Sequence, residues 1–356
     1  MGLRAEPRDA TEMDEPMNFD LPRHTLLLTI GGSRAYGIHT AASDVDVKGV
    51  AVPPASYLHG FLHRFDQADK PEQLGPFAPV LSDEERAAVA TSKLEGVVYD
   101  LRKFMGLAAE ANPNILDVLF CRDAEVRVAT PLGERLRAAR GAFLSQKCRY
   151  TFAGYAHAQL KRIRTHREWL LHPPKEEPTR TAHGLPEGGG VLPRDQLGAL
   201  DTLMERGMTA EELGLSTGAL ELLQREKHFR ASRNHWEQYQ HWKLTRNPAR
   251  AALEERHGYD TKHGAHLVRL LRMGKEILTT GDVRVWRGDI DAAELLEIRS
   301  GAWEYDRLIA YADGVEEDLE KLYRAGASPL PREPDRAALD ELCVELVEAA
   351  LGEDSG

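Results

Sequence analysis

Two aspartates one residue apart, Asp44 and Asp46, interrupt the apolar stretch "SDVDVKGVAVP" (43–53), and Asp44 lies twelve residues after Gly32 of a Gly-Gly-Ser sequence. Alternation along a strand puts Asp44, Asp46 and Lys48 on one face and Val45 and Val47 on the other. Carboxylates are poor strand residues and expensive to bury unpaired. At i and i+2 they stand about 6–7 Å apart and repel each other at neutral pH. A shared cation removes that repulsion, and oxygen ligands with no neighbouring cysteine suit a hard ion such as Mg2+ or Mn2+, which also accepts phosphates. Gly32 and Ser33 supply the complementary half: backbone N–H groups and a hydroxyl at a strand end can face an anion, with Arg34 beside them as "RAYG" begins a helical turn. Each pattern alone is more often a tight turn or a solvated strand edge. In the order strand, Gly-Ser, Asp-x-Asp, strand, they predict a metal–nucleotide site.

The elements that must hold these residues are short. "HTLLLTI" (24–30) is long enough for a buried strand and too short for a helix, and "SDVDVKGVAVP" reads as its neighbour across the Gly-rich turn. Residues 66–81 read as loop, and "SDEERAAVATSKL" (82–94) as a helix capped by Ser82. "EGVVY" (95–99) reads as a third strand and "DLRKFMGLAAEA" (100–111) as an amphipathic helix ended by Asn112-Pro113, with Asn114 available to cap "ILDVLF". From about residue 130 the texture is helical, including a long helix over 145–171, a Pro/Gly-rich loop at 173–193 and a last helix at 336–351. The expected organisation is an acidic, disordered tail over 1–20, a catalytic domain over 21–135 and a helical domain over 136–356. The fold class is α+β: a short mixed β-sheet with flanking helices, then a mostly α-helical part.

A chain of 356 residues can bury two cores, and its formal charge of −11 requires any polyanion to be met by a local basic patch or by bound cations. The three cysteines lie far apart without metal-ligand spacing, and no stretch approaches eighteen apolar residues. A cytoplasmic setting with no membrane partner is expected. The stretch "MTAEELGLSTGALELL" (208–223) has a superficial helix-turn-helix pattern but no basic cluster in its second half, so DNA binding is not expected from it.

Gly32-Ser33 followed by Asp44 and Asp46 resembles the signature of the DNA polymerase beta nucleotidyltransferase superfamily. Within it, "GSRAYG", "SDVDVKGV", "VVYDLRKF", "NPNILDVLF", "GYAHAQLKRI" and "YDTKHGAHLVRLLRMGKEIL" together resemble the RlaP-type nucleotidyltransferases, named for association with RNA ligase, over roughly residues 26–310. The resemblance implies a nucleoside triphosphate substrate, two Mg2+ or Mn2+ ions and transfer of NMP to a hydroxyl with release of pyrophosphate. RNA or tRNA is one candidate acceptor, in RNA repair or end modification. The alternatives are NMP transfer to a protein or small molecule, and a non-catalytic nucleotide-binding regulator. The superfamily carries a third carboxylate on a later strand, for which Glu95 and Asp100 are the candidates. Five positions apart, they face opposite sides of a regular strand. Asp100 has a competing role as a helix N-cap, so Glu95 is preferred as metal ligand and general base with Asp44 and Asp46, although glutamate departs from the usual aspartate.

Lys48 shares the aspartates' face and suits either a phosphate or a salt bridge to one of them. Farther on, Lys262, His266, Arg269 and Met273 fall at i, i+4, i+7 and i+11 of one helix, with Leu267, Leu270, Leu271 and Ile277 on its apolar side. That stripe can grip a triphosphate or an RNA backbone, or simply be a solvated face. His263 and His266 lack a third ligand for zinc. "QLKRIRTHREW" (159–169) and "RNPAR" (246–250) add local positive charge; Tyr155, Trp236 and Trp242 suit either base stacking or a core.

Overall fold

"TLLLTI" forms strand β1 (Thr25–Ile30), buried at every position. It pairs antiparallel with β2 (Val45–Ala51) on one side and β5 (Val126–Ala129) on the other. β2 runs parallel to β4 (Leu94–Asp100), whose outer edge carries the two-residue β3 (Gln67–Ala68). The mixed sheet therefore has the order β3-β4-β2-β1-β5. Leu28, Ile30, Val45, Val47, Phe77 and Val98 meet in its core. β2 buries Val45 and Val47 and leaves Asp46 and Lys48 half-buried, the alternation its sequence implies. The computed structural model describes residues 18–41, 43–188 and 214–354, together with Gly198, Thr202, Met208 and Glu212. The tail expected over 1–20 lies outside the described residues up to Met17, the Pro/Gly-rich loop from Gly189 on, and residues 209–211 and 213 of the 208–223 stretch likewise.

Helices follow where caps permit. Ser82 accepts from Glu85 N and Glu85 from Ser82 N (2.8 Å), a capping box that starts α1 (Asp83–Val89). Asp100 caps α2 (Leu101–Ala109). For α3 (Pro113–Phe120) the cap is Asn112 rather than Asn114, because Pro113 takes the first helical position, where a missing N–H is harmless. α4 (Pro131–Ala138) is capped by Thr130. β5 escapes a sequence reading: four residues with Arg127 among them carry little strand signal, and Arg127 is held by Glu85 (Nε to Oε2, 2.8 Å). α5 (Cys148–Leu171) follows as expected.

By internal contacts the chain forms two compact units, one of residues up to Leu160 with those from Lys262 on, the other of Lys161–Thr261. The boundary expected at residue 136 does not coincide with this division. The second unit holds the end of α5, α6 (Thr217–Thr245) and α7 (Pro248–His257). Its aromatic cluster centres on Trp169, whose indole N–H donates to His235 (2.7 Å) and whose rings pack on His166, Tyr239 and Trp242. Trp236 packs on Tyr239, so Trp236 and Trp242 are cluster residues.

The first unit continues with α8 (Thr261–Thr280), α9 (Ala292–Ser300), α10 (Tyr305–Arg324) and α11 (Arg336–Asp354). Leu267, Leu270, Leu271 and Ile277 of α8 are buried, as the pattern predicts. Between α8 and α9, Arg287 is fully buried and donates to Glu276 (2.6 and 2.8 Å) and Asp291 (2.7 and 3.0 Å). No helix among the described residues is long and apolar enough to cross a membrane.

In the second unit His166, Glu254 and Asp260 bring ligand atoms within 4.8 Å of one another. Arg250 bonds Asp260, and Arg246 reaches Glu254 (3.1 Å), so two guanidinium groups already neutralise the two carboxylates and oppose a divalent cation. Burial and the neighbouring Asp260 push Glu254 up to about 7 against the pull of Arg246 and Arg250. The folded form then binds more protons than the unfolded one between the ordinary 4.5 and about 7, so stability falls as pH rises through that window. Thermal unfolding followed by tryptophan fluorescence should show this loss in the wild type and a flatter profile in Glu254→Gln. An unchanged profile in the variant would refute the assignment.

Candidate active site

β1 ends at Ile30 and the chain turns at once. Gly31 N donates to Asp46 O (2.8 Å), extending the β1–β2 pairing by one residue, and Gly32–Ala35 make a single helical turn. Gly32 is left-handed (φ +59°), and a Cβ there would stand 1.9 Å from Asp46 Oδ2. The Asp46 carboxylate is therefore packed directly on the bend, which only glycine permits. Gly31 packs against the stem of Lys48, whose Cγ, Cδ and Cε lie 3.2 Å from where a Cβ would be. Ser33 follows within the turn, half-exposed.

The other carboxylates take their places from the strand register. Asp44 immediately precedes β2, and Glu95 of β4 stands opposite Asp46 in the parallel pairing. Asp100 stands opposite Ala51 at the other end of β4, about 16 Å from Glu95 at the strand rise. It is buried and accepts from Arg102 N (2.9 Å) and Lys103 N (3.3 Å), which occupies it as a cap. Burial pushes the Asp46 carboxyl above its ordinary range; Lys48 pulls it back, Glu95 and Asp44 add to the push, and Lys262 opposes them. Asp44, Asp46 and Glu95 thus form one mutually repelling group of oxygen donors, without cysteine or histidine. Such a set fits a hard divalent cation.

Lys48 donates to Asn114 Oδ1 (3.1 Å). Among the described residues it makes no ion pair with Asp44 or Asp46, so the salt-bridge alternative does not form. Burial lowers its pKa, Asp117 and Asp46 raise it, and Arg269 lowers it further. Arg34 is turned to Glu84 (3.1 Å). The α8 stripe descends from solvent into the core: Lys262 is exposed, His266 half-buried, Arg269 and Met273 buried. Burial, with Arg269, His263, Lys262 and Lys48 nearby, holds the His266 imidazole well below its ordinary pKa, hence neutral. Lys48 and Lys262 thus lie near enough to act on Asp46, while His266 stands edge-on to the Tyr36 ring (6.4 Å), over which the Arg269 guanidinium lies at 3.6 Å.

Tyr36 and Asp117 are site neighbours that the sequence reading did not single out, and Asn114, read there only as a helix cap, is a third. The buried Tyr36 hydroxyl donates to Asp117 Oδ2, and the Tyr36 carbonyl accepts from Arg287 N (3.1 Å). Arg299 donates to Ile38 O (2.9 Å), and Trp286 packs so closely on the left-handed Gly37 that a Cβ would stand 2.8 Å from its ring. The segment after α8 therefore clasps residues 36–38, immediately beyond the Gly-Ser bend. Asp117 is an acid within the apolar "ILDVLF", a signal that was legible; Tyr36 between Ala35 and Gly37 carries none. Tyr155, a stacking candidate, accepts from Asn112 Nδ2 (3.0 Å).

Residues 9–172 match the RlaP family, described as the RNA repair pathway DNA polymerase beta family. No curated protein and no solved structure matches the chain significantly.

Asp117 Oδ1 is buried and has no hydrogen-bond partner among the described residues, so the Tyr36 hydroxyl is the donor on which this carboxylate relies. Tyr36→Phe should destabilise the protein by about 1–3 kcal/mol in urea unfolding. In a double-mutant cycle with Asp117→Asn the two changes should couple by about 1 kcal/mol or more. Additive effects would show that the pair is not an energetic unit.

Proposed function

From the membership of residues 9–172 in the RlaP family of DNA polymerase beta-like nucleotidyltransferases linked to RNA repair, we propose a metal-dependent transferase that moves NMP from an NTP to an RNA hydroxyl. The observation that carries this reading is the packing of the Asp46 carboxylate on Gly32, which sets that acid against the phosphate-type bend and supports treating them together.

Asp44, Asp46 and Glu95 would hold two Mg2+ or Mn2+ ions, which when bound supply charge neutralisation of the triphosphate and activation of the acceptor hydroxyl. The Gly32–Ser33 backbone and the Ser33 hydroxyl receive phosphate oxygens, with Arg34 released from its surface pair with Glu84 to join them. Lys48 and Lys262 add positive charge on the side of the developing negative charge. His266, kept neutral, offers a hydrogen bond rather than a charge. Arg269, buried over Tyr36, acts through that ring as a support for the bend. Glu95, exposed at the head of β4, accepts the proton of the acceptor hydroxyl. The freed oxygen bonds to the α-phosphorus as the bond to pyrophosphate breaks.

Each labelled NTP, incubated with Mg2+ or Mn2+ and with cleaved RNA or tRNA, should label the RNA. Asp44→Ala and Asp46→Ala should each lower transfer about a thousandfold or more, equivalent to about 4 kcal/mol of transition-state stabilisation. Glu95→Gln should lower it as well, whereas Asp100→Asn should reduce stability and retain transfer. Label on protein in place of RNA would favour a protein acceptor, and tight NTP binding with no transfer would favour a regulator.

A further inference from the structure

In the second unit Arg180, Arg225, Arg230, Arg233, Arg246 and Arg250 are held in ion pairs with carboxylates. Lys161, Arg162 and Arg164 of α5 are different. All three are exposed, they fall within about 4.5 Å along the helix axis, and none has an ion pair or hydrogen-bond partner among the described residues. The same turn carries the buried Leu160 and Ile163, so the backbone presenting the three cations is fixed by packing. One carboxylate, the exposed Glu168, lies one turn beyond Arg164 and forms no ion pair with it among the described residues. In a chain of formal charge −11, three uncompensated cations on one turn attract a polyanion against the overall field.

We infer that Lys161, Arg162 and Arg164 form a track for the phosphate backbone of single-stranded RNA. This rests on the proposed RNA acceptor; the family match, which runs to residue 172, includes the track. Flexible cations without fixed partners neutralise phosphates irrespective of base, so the contact would position RNA without reading its sequence.

Fluorescence anisotropy with a labelled single-stranded RNA, over a range of salt concentrations, tests the inference on the full chain. Three lost phosphate contacts, at about 0.7 per phosphate, should flatten the log–log salt dependence of the Lys161→Ala/Arg162→Ala/Arg164→Ala variant by about 2, making binding about a hundredfold weaker at 0.1 M salt. Lys175→Ala/Lys243→Ala/Arg256→Ala removes the same charge from scattered exposed positions of the same unit and should bind RNA nearly as the wild type does. Equal losses in the two variants, or none in the first, would overturn the track. So would wild-type binding of acidic peptides or phosphatidylserine vesicles but not RNA. Wild-type RNA binding that depends on the track, without NMP transfer, would support the track and overturn the catalytic reading alone. Transfer to RNA that is indifferent to the track would do the reverse.

Discussion

The close approach of the Asp46 carboxylate to Gly32 is the constraint on which the rest of the candidate site depends. It has two parts, each fixed by backbone geometry. The antiparallel pairing of β1 and β2 continues through Gly31 N to Asp46 O, which puts the bend and the acid at the same end of adjacent strands. The left-handed Gly32 then removes the atom that would otherwise occupy the position of the carboxylate. The parallel β2–β4 register adds Glu95 opposite Asp46, so the acids converge through pairing alone and need no long loop to bring them together.

A site built in this way crowds negative charge, and the surroundings are arranged to tolerate it. Lys48 lies between Asp46 and the Asp117–Tyr36 pair, feeling the carboxylates on both sides and hydrogen-bonded to Asn114. Arg269 contributes its charge from beneath the Tyr36 ring, a placement in which the π face partly stands in for water. The clasp formed by Arg287, Trp286 and Arg299 holds the backbone just after the bend. Arg287 is itself fully paired by Glu276 and Asp291 and therefore acts as a fixed strut. Residues more than two hundred positions away in sequence thus determine the exit angle of the Gly-Ser turn.

What could be read from the sequence follows from the range of the interactions involved. Strands β1, β2 and β4, the helix caps at Ser82 and Asp100, and the buried side of α8 are governed by periodicity and by contacts over a few residues, and the structure has them where the pattern puts them. The choice between Glu95 and Asp100 could be framed by strand parity, but their separation to opposite ends of β4 needed the register with β2. The α8 stripe was visible as a line of polar residues; that it runs from solvent at Lys262 to the core at Arg269 depends on Tyr36, a partner no local pattern points to. The partnership of Tyr36 with Asp117 spans eighty-one positions, and neither residue's neighbours specify the other.

Electrostatics also explain why the arrangement must be local. A chain of formal charge −11 repels anions at long range, but the screening length at physiological ionic strength is about 8 Å, so a ligand near the bend responds chiefly to the nearest groups. There Lys48, Lys262 and Arg269 face Asp44, Asp46, Glu95 and Asp117, a near balance in which one carboxyl is already pushed above its ordinary range. Adding a triphosphate alone would tip that balance strongly negative, whereas adding it together with divalent cations would restore it. On the proposed reading, the same crowded groups would favour joint binding of anion and metal over binding of either one, and the glycine at position 32 would allow the two to share a single surface.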